Sequence, residues 1–446
     1  MKYFRFVFIV AAFLALLAVG CSDRGTNVPT ASGQSSWTVW PDFNHVFVPN
    51  PNDGIPDTTP SQLLMQIRNP SGLLEMAAYI PHPDYVPIPA KYRDKPLPLL
   101  ILLAPQDGDK WYYFDHGLAE IAYDLISQGV IRPMIIVTIG NEKVFGGSFY
   151  GNSIPAGHMD DITGSLLVNQ LIDSARFVTS WANVSDDPQL HGIGGIGMGA
   201  YGAYRAVIKH PGIYKSISAC DGPLDFDGPA GNGGLLSLVP RLFAEQGLRS
   251  DTTWNYIADH FDTLGIWPVT RMFVGGSLAF SPHDTEMTVA ITVLAGSVNR
   301  RDVRILDRME VADSATLISN LLLGQDIGGP IGSADVHYAF NLPFDSHMAV
   351  EPITWSRWMA NNLDTLLAQA GGSPLGDVAM WFGTSTQADY GYHTMTMSWI
   401  NALQNAGYDP TVFSYTGTEA HPAIGSTYTY SLIREMLIFH SHAFGE

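Results

Sequence analysis

The chain has 446 residues, is 46% hydrophobic, and sets 42 acidic against 23 basic residues for a formal net charge of −19. That length and apolar content suffice for a large buried core, and we read one elaborated domain in preference to two. The charge excludes a nucleic-acid surface, which needs clustered cations to displace phosphate counterions; an acidic exterior of this kind mainly confers solubility. At the N-terminus Lys2 and Arg5 precede an apolar run from Phe6 to Val19, too short for an ordinary membrane span and flanked as an export signal is. Residues 1–20 are therefore expected to be a signal peptide.

Ala18-Val19-Gly20-Cys21 places small residues ahead of a cysteine and resembles a bacterial lipobox, with alanine where leucine is more usual. It predicts a lipid anchor on Cys21, a membrane as partner, and residence in the bacterial cell envelope on the periplasmic or outer-membrane face. The competing reading is a plain signal peptide with an incidental cysteine. Only two cysteines exist, so with Cys21 lipidated Cys220 is alone and reads as a small buried hydrophobe without a disulfide. Residues 21–45 are rich in Ser, Thr, Gly, Asn and Pro without an apolar period and read as a flexible tether. The folded domain is expected over 46–446. Asn50 through Asp57 resembles half of a calcium-binding repeat, although a simple Asn/Asp/Gly/Pro turn accounts for the same residues.

Leu74 to Pro81 alternates as an early strand does, and Pro98 to Pro105 is a fully apolar run of the kind buried on both sheet faces. A helix is expected over Trp111–Gln128 and a third apolar strand over Pro133–Ile139. Leu190–Ile196 supplies another short strand, Ala200–Ile208 has helical spacing, His210-Pro211 stops that helix, and Tyr214–Gly222 reads as the next strand. Strands alternating with helices predict an α/β class with a mostly parallel, doubly wound sheet flanked by helices. Between strand and helix stands Gly195-Ile196-Gly197-Met198-Gly199. In an α/β-hydrolase this junction is G-x-S-x-G, a sharp turn that presents a nucleophilic serine while the next backbone N–H serves as an oxyanion donor. Here the central residue is Gly197, which can hold the turn but has no hydroxyl with which to attack.

Further along, about 223–350 reads as a cap insertion over the elbow. Trp254, Trp267, Trp355 and Trp358 are either stacking surfaces for a sugar or aromatic acyl group or core residues. Val378–Gly383 reads as a strand, Met395–Ala406 as a helix ended by Gly407, and Thr411–Tyr415 as the last strand. Asp389 follows the first of these and His421 the last, so the chain order matches the nucleophile, acid, histidine order of α/β-hydrolases. A solvated loop aspartate is the other reading of Asp389. His440-Ser441-His442 has a metal-pair spacing but no third ligand motif beside it, so no metal and no cofactor are expected.

The elbow through Ala203, His210-Pro211 and Asp221-Gly222-Pro223-Leu224-Asp225 resembles the secreted esterase family that groups esterase D, feruloyl esterases and antigen 85-type mycolyltransferases. Gly147–Ser153 with Gly157, Ala279-Phe280-Ser281-Pro282, and Leu342-Pro343 with Trp355-Ser356-Arg357-Trp358 add to the likeness, which spans roughly 70–446 apart from 285–335. The resemblance implies an α/β-hydrolase fold, Gly197 at a degenerate nucleophile position, Asp389 as acid and His421 as histidine. It also implies oxyanion donors near Met198 and in the loop after the second apolar strand. The family ends that strand in His-Gly, whereas this chain reads Ala104-Pro105; proline has no N–H, which leaves Gln106 or Asp107 as donor. Trp111 and Tyr150 are expected in the pocket. The resulting expectation is an esterase homologue without serine-hydrolase activity that binds a carbohydrate ester, another small molecule, a lipid or a protein in the old pocket. The alternative is a working ester hydrolase or acyltransferase with a non-standard nucleophile, or with a water activated by His421 and Asp389.

Overall fold

A computed structural model describes residues 38–41, 62–69, 72–81, 86–140, 147–153, 157–159, 184–231, 233–245, 268–281, 341–345 and 347–415, then 427–445, with a few isolated positions besides. Cys21, Asn50–Asp57, His421, Trp254 and Trp267 lie outside the described residues. Nine strands form one sheet: β1 Thr38–Pro41, β2 Gln62–Asn69, β3 Gly72–Tyr79, β4 Leu99–Leu103, β5 Ile135–Ile139, β6 His191–Ile196, β7 Ser216–Cys220, β8 Ala379–Ser385 and β9 Thr411–Tyr415. Their spatial order is β1-β2-β3-β5-β4-β6-β7-β8-β9. From β5 to β9 every neighbouring pair is parallel, while β3 runs antiparallel to both β2 and β5. A long parallel sheet whose first two strands, β4 and β5, exchange places beside one antiparallel strand is the α/β-hydrolase fold.

The sheet is covered on both faces, which is why its central strands are continuous apolar runs. Strand β4 shows the division directly: Leu99, Ile101 and Leu103 enter one core, and Leu100 and Leu102 enter the other. On the second face lie α1 Leu118–Ser127 and the C-terminal helix. The first face carries α2 Met198–Lys209, α3 Val239–Glu245, α4 Pro268–Phe280, α5 Pro352–Met359, α6 Leu363–Ala370 and α7 Tyr392–Asn405. The C-terminal helix is α8 Thr427–Ala443.

The structure departs from the sequence expectation in two places and decides between two readings in a third. The helix expected over 111–128 is broken at Gly117, whose φ of +87° cannot be helical, leaving a single turn at Tyr112–Asp115 before α1. Thr38–Pro41, inside the segment read as tether, pairs antiparallel with β2 and so satisfies that strand's edge. Trp358 is fully buried among Phe149, Phe273 and Phe280 and is a core residue, not a stacking surface.

Beneath the central strands sits a polar cluster in an apolar layer. His440 of α8 is fully buried, with Nδ1 2.7 Å from Ser216 Oγ and Nε2 2.9 Å from Ser218 Oγ, both on β7. Space for it comes from β6. A Cβ on Gly192 would lie 2.7 Å from His440 Nδ1, and one on Gly194 would lie 2.1 Å from Ser218 Oγ. Burial depresses the imidazole to about 3, so it is held neutral. With both ring nitrogens occupied and Ser441 Oγ accepting from the Arg132 backbone N–H at 2.9 Å, His440 is a packing residue, while His442 is exposed.

Candidate functional site

The elbow is built by steric exclusion. A Cβ on Gly195 would fall 2.2 Å from the Gly199 carbonyl carbon, and one on Gly199 would fall 2.0 Å from Leu103 O, so β4, β6 and α2 meet at backbone contact. Between them Gly197 adopts φ 59°, ψ −123°, a region that side chains of L-residues rarely enter. Its N–H donates to Cys220 O at 2.8 Å and its carbonyl accepts from Ala200 N at 3.1 Å, which locks the turn. The elbow geometry is therefore complete at a residue with no side chain. A Cβ at Gly197 would approach Pro105 Cβ to 3.2 Å and Asp221 O to 3.9 Å. Pro105, from the loop after β4, would thus touch a serine Cβ slightly closer than ordinary contact.

A pocket of about 230 Å³ opens above the elbow. Its wall is the 105–107 loop, residues 196–198, Asp221 at the end of β7, Pro268 at the start of α4, and the loop from 388 to 392. Gln106, Gly197, Met198 and Asp389 all line it. Met198 opens α2, where first-turn N–H groups lack intrahelical acceptors. His421 lies outside the described residues. Trp111 and Tyr150 are corrections: neither lines the pocket. Tyr150 is fully buried and its hydroxyl donates to Ala104 O at 2.8 Å, fixing the end of β4 from below. Trp111 packs edge-on against Phe114 in the layer on the opposite sheet face.

Asp221 is the site residue that sequence reasoning left as part of a turn. It has a φ of +40° and is 3% exposed. Its Oδ1 accepts from Ser385 N at 2.9 Å and Thr384 Oγ1 at 3.0 Å, and its Oδ2 accepts from the Tyr428 hydroxyl. Thr384 Oγ1 also lies 3.0 Å from His393 Nδ1. Since the single threonine proton goes to the carboxylate, His393 Nδ1 is the donor in that contact. Burial raises the Asp221 carboxyl above its usual range against the pull of the three donors. The only legible signal was a carboxylate at a strand's C-terminal end, where active sites of parallel sheets gather.

The 105–107 loop is clasped by α4. Gln106 Nε2 donates to Pro268 O at 2.8 Å, and Asp107, with a φ of +62°, pairs with Arg271 at 2.6 Å. Desolvation raises the Asp107 carboxyl, Arg271 opposes it, and solvent screens part of the effect because 36% of the side chain is exposed. The N-terminus of α4 is held in turn by Glu245, which accepts from Val269 N and Thr270 N, each at 3.1 Å. On the opposite wall Arg241 lies 4.8 Å from the Tyr390 ring centroid, and Tyr392 OH contacts Met272 Sδ at 3.4 Å.

No family model and no curated protein matches the chain. Among solved structures it is similar to a ferulic acid esterase at 12% identity and a TM-score of 0.46, with 86% of this chain and 98% of the other covered. It is similar also to a fluorophosphonate-binding serine hydrolase of Staphylococcus aureus (11% identity, TM-score 0.44, 85% and 98% covered). A third similar structure is an S-formylglutathione hydrolase from Agrobacterium tumefaciens (12% identity, TM-score 0.42, 86% and 95% covered). Strand order, strand direction and the elbow define the class without them: this is an α/β-hydrolase-fold protein with glycine at the elbow's centre.

Proposed function

We propose that the chain is an exported, lipid-anchored relative of esterases that binds a ligand in the elbow pocket without serine-hydrolase chemistry. One observation carries the reading: the nucleophile turn is fully formed at φ 59°, ψ −123°, with glycine in it and Pro105 3.2 Å from where a Cβ would stand. Among the described residues no serine, threonine or cysteine lines the pocket, and the hydroxyl-bearing residues that do are Tyr390 and Tyr392. The oxyanion loop has also changed, since Pro105 brings no N–H. The resemblance to carbohydrate-ester hydrolases favours an ester-bearing glycan or small molecule, a lipid or a protein group as ligand, with Asp389 and His421 as remnants of the acid and histidine.

The test is a pair of measurements on wild-type and Gly197→Ser protein. The wild type is expected to be inert toward short aryl esters and unlabelled by a fluorophosphonate probe. Without a nucleophile, oxyanion donors and positioning alone leave at most ~10³-fold acceleration over water. Gly197→Ser is expected to gain labelling and slow ester cleavage. Robust wild-type turnover abolished by His421→Ala would overturn the binding reading in favour of an unconventional enzyme.

A further inference from the structure

The first turn of α4 reaches three separate parts of the molecule within five consecutive residues. Pro268 O accepts from Gln106 Nε2, Val269 N and Thr270 N donate to Glu245 of α3, Arg271 pairs with Asp107, and Met272 Sδ meets the Tyr392 hydroxyl. The loops 105–107 and 388–392 are walls of the pocket, and Pro268 itself lines it. A second path joins the same parts through α3, where Arg241 lies 4.8 Å from the Tyr390 ring centroid and 3.6 Å from the Glu245 carboxylate. Each of the two lips also carries a residue that needs holding. Asp107 has a φ of +62° and Tyr390 a φ of +60°, and neither is glycine. An L side chain in that region crowds its own backbone, at a cost of the same order as a half-exposed ion pair or a cation–π contact returns. The Arg271 ion pair offsets that cost at the first lip and the Arg241 ring contact at the second, and both arginines have solvent access, 20% and 48% of the side chain.

We infer that the two lips of the elbow pocket open together, coupled through the first turn of α4 and the Arg241–Glu245 pair of α3, so that a ligand seated against one lip restrains the other. This concerns access to the cavity and holds whether or not chemistry occurs in it, so it goes beyond the binding reading above. Backbone strain supplies the tendency to move, since each lip gains by leaving its conformer once its arginine lets go. The packing of α4 supplies the transmission: Val269, Thr270, Met272, Phe273 and Val274 are buried, so a displacement at one end of the turn is carried to the other as a rigid shift.

The experiment is hydrogen exchange on the full chain, read by mass spectrometry on peptides covering 105–110 and 386–392, with β4 at 99–103 as the core reference. Arg271→Gln cuts a contact of the first lip alone, yet exchange is expected to rise at least about threefold at 386–392 as well as at 105–110. Arg241→Gln cuts a contact of the second lip and is expected to produce the same rise at 105–110. Asp107→Asn and Tyr390→Asn test the coupling from the lips themselves, because asparagine tolerates a positive φ; each is read on the opposite lip, with the same rise expected. Arg271→Lys keeps the charge and is expected to stay near the wild-type pattern. Exchange over 99–103 is expected to be unchanged in every variant, since opening the lips leaves the sheet in place. Acceleration confined to the lip whose own contact was cut would overturn the inference. Acceleration of 99–103 in step with the lips would overturn it too, by making the event global unfolding. Aryl-ester turnover does not enter this readout, so failure of the non-catalytic reading and failure of the coupling are distinguishable.

Discussion

Three glycines in the elbow have two different reasons to be glycine, and substitutions separate them. Gly195 and Gly199 are excluded from having a Cβ by backbone atoms at 2.2 and 2.0 Å, which no rotamer change relieves. Gly195→Ala and Gly199→Ala are each expected to cost more than about 3 kcal/mol or to prevent folding, read from the urea midpoint. Gly197 is constrained by φ, with its nearest prospective contact at 3.2 Å. Gly197→Ala is expected to cost about 1–2 kcal/mol with the fold retained. The elbow was legible because a G-x-G-x-G run at a strand-to-helix junction is a local pattern. Asp221 was not, because its donors come from residues 384, 385 and 428, far along the chain and unpredictable from local spacing. Asp221→Ala strands these donors in a buried site, with an expected loss of roughly 2–4 kcal/mol.

At the scale of elements, the packing of α8 on β7 titrates. His440 binds a proton in the unfolded chain with the ordinary value of 6.5 and in the native state only near 3, so between these values the unfolded state holds more protons. Stability therefore rises with pH across that window and is lost as pH falls through it. The interval corresponds to at most about 5 kcal/mol. The urea midpoint is expected to fall steadily from pH 6.5 towards pH 3, with His440→Gln flattening that limb. Strands β4, β5, β6, β8 and β9 were legible as apolar runs, whereas α8 was read only as an H-x-H pair. Its core stripe of Tyr428, Leu432, Met436 and His440 repeats every four residues but includes a histidine, which breaks an apolar period. The break at Gly117 was hidden for the opposite reason, since flanking residues on both sides favour helix.

For the whole molecule, the N-terminal reading makes a claim independent of the pocket. Among the described residues no helix is long and apolar enough to cross a membrane. If the anchor is Cys21, the Cys21→Ser protein is expected in the soluble fraction while the parent sediments with membranes; unchanged sedimentation of the variant would remove the anchor from the account. The sheet order and both cores follow from patterns distributed over the whole chain, so the fold class was the most legible property of all. Ligand chemistry was the least, because it is written by side chains from five separate segments converging on one cavity.

The contact between Pro105 and the empty side of Gly197 also bears on the history of the site. Each residue bears on the other: a Cβ at 197 would press on the Pro105 ring at 3.2 Å, a few tenths of an ångström inside ordinary contact. A return to serine at 197 alone meets that ring at 3.2 Å and carries the burden of a positive φ, with the lost N–H still missing. Restoring the loop alone gains nothing, for there is nothing to activate. The two positions are coupled, so that serine at 197 alone restores only slow chemistry and the loop alone restores none, and the coupling is measurable as non-additivity in a double-mutant cycle of Gly197→Ser with Pro105→Gly, expected at about 1 kcal/mol in stability. A serine regained at 197 would therefore reach its full effect only with a second change at 105.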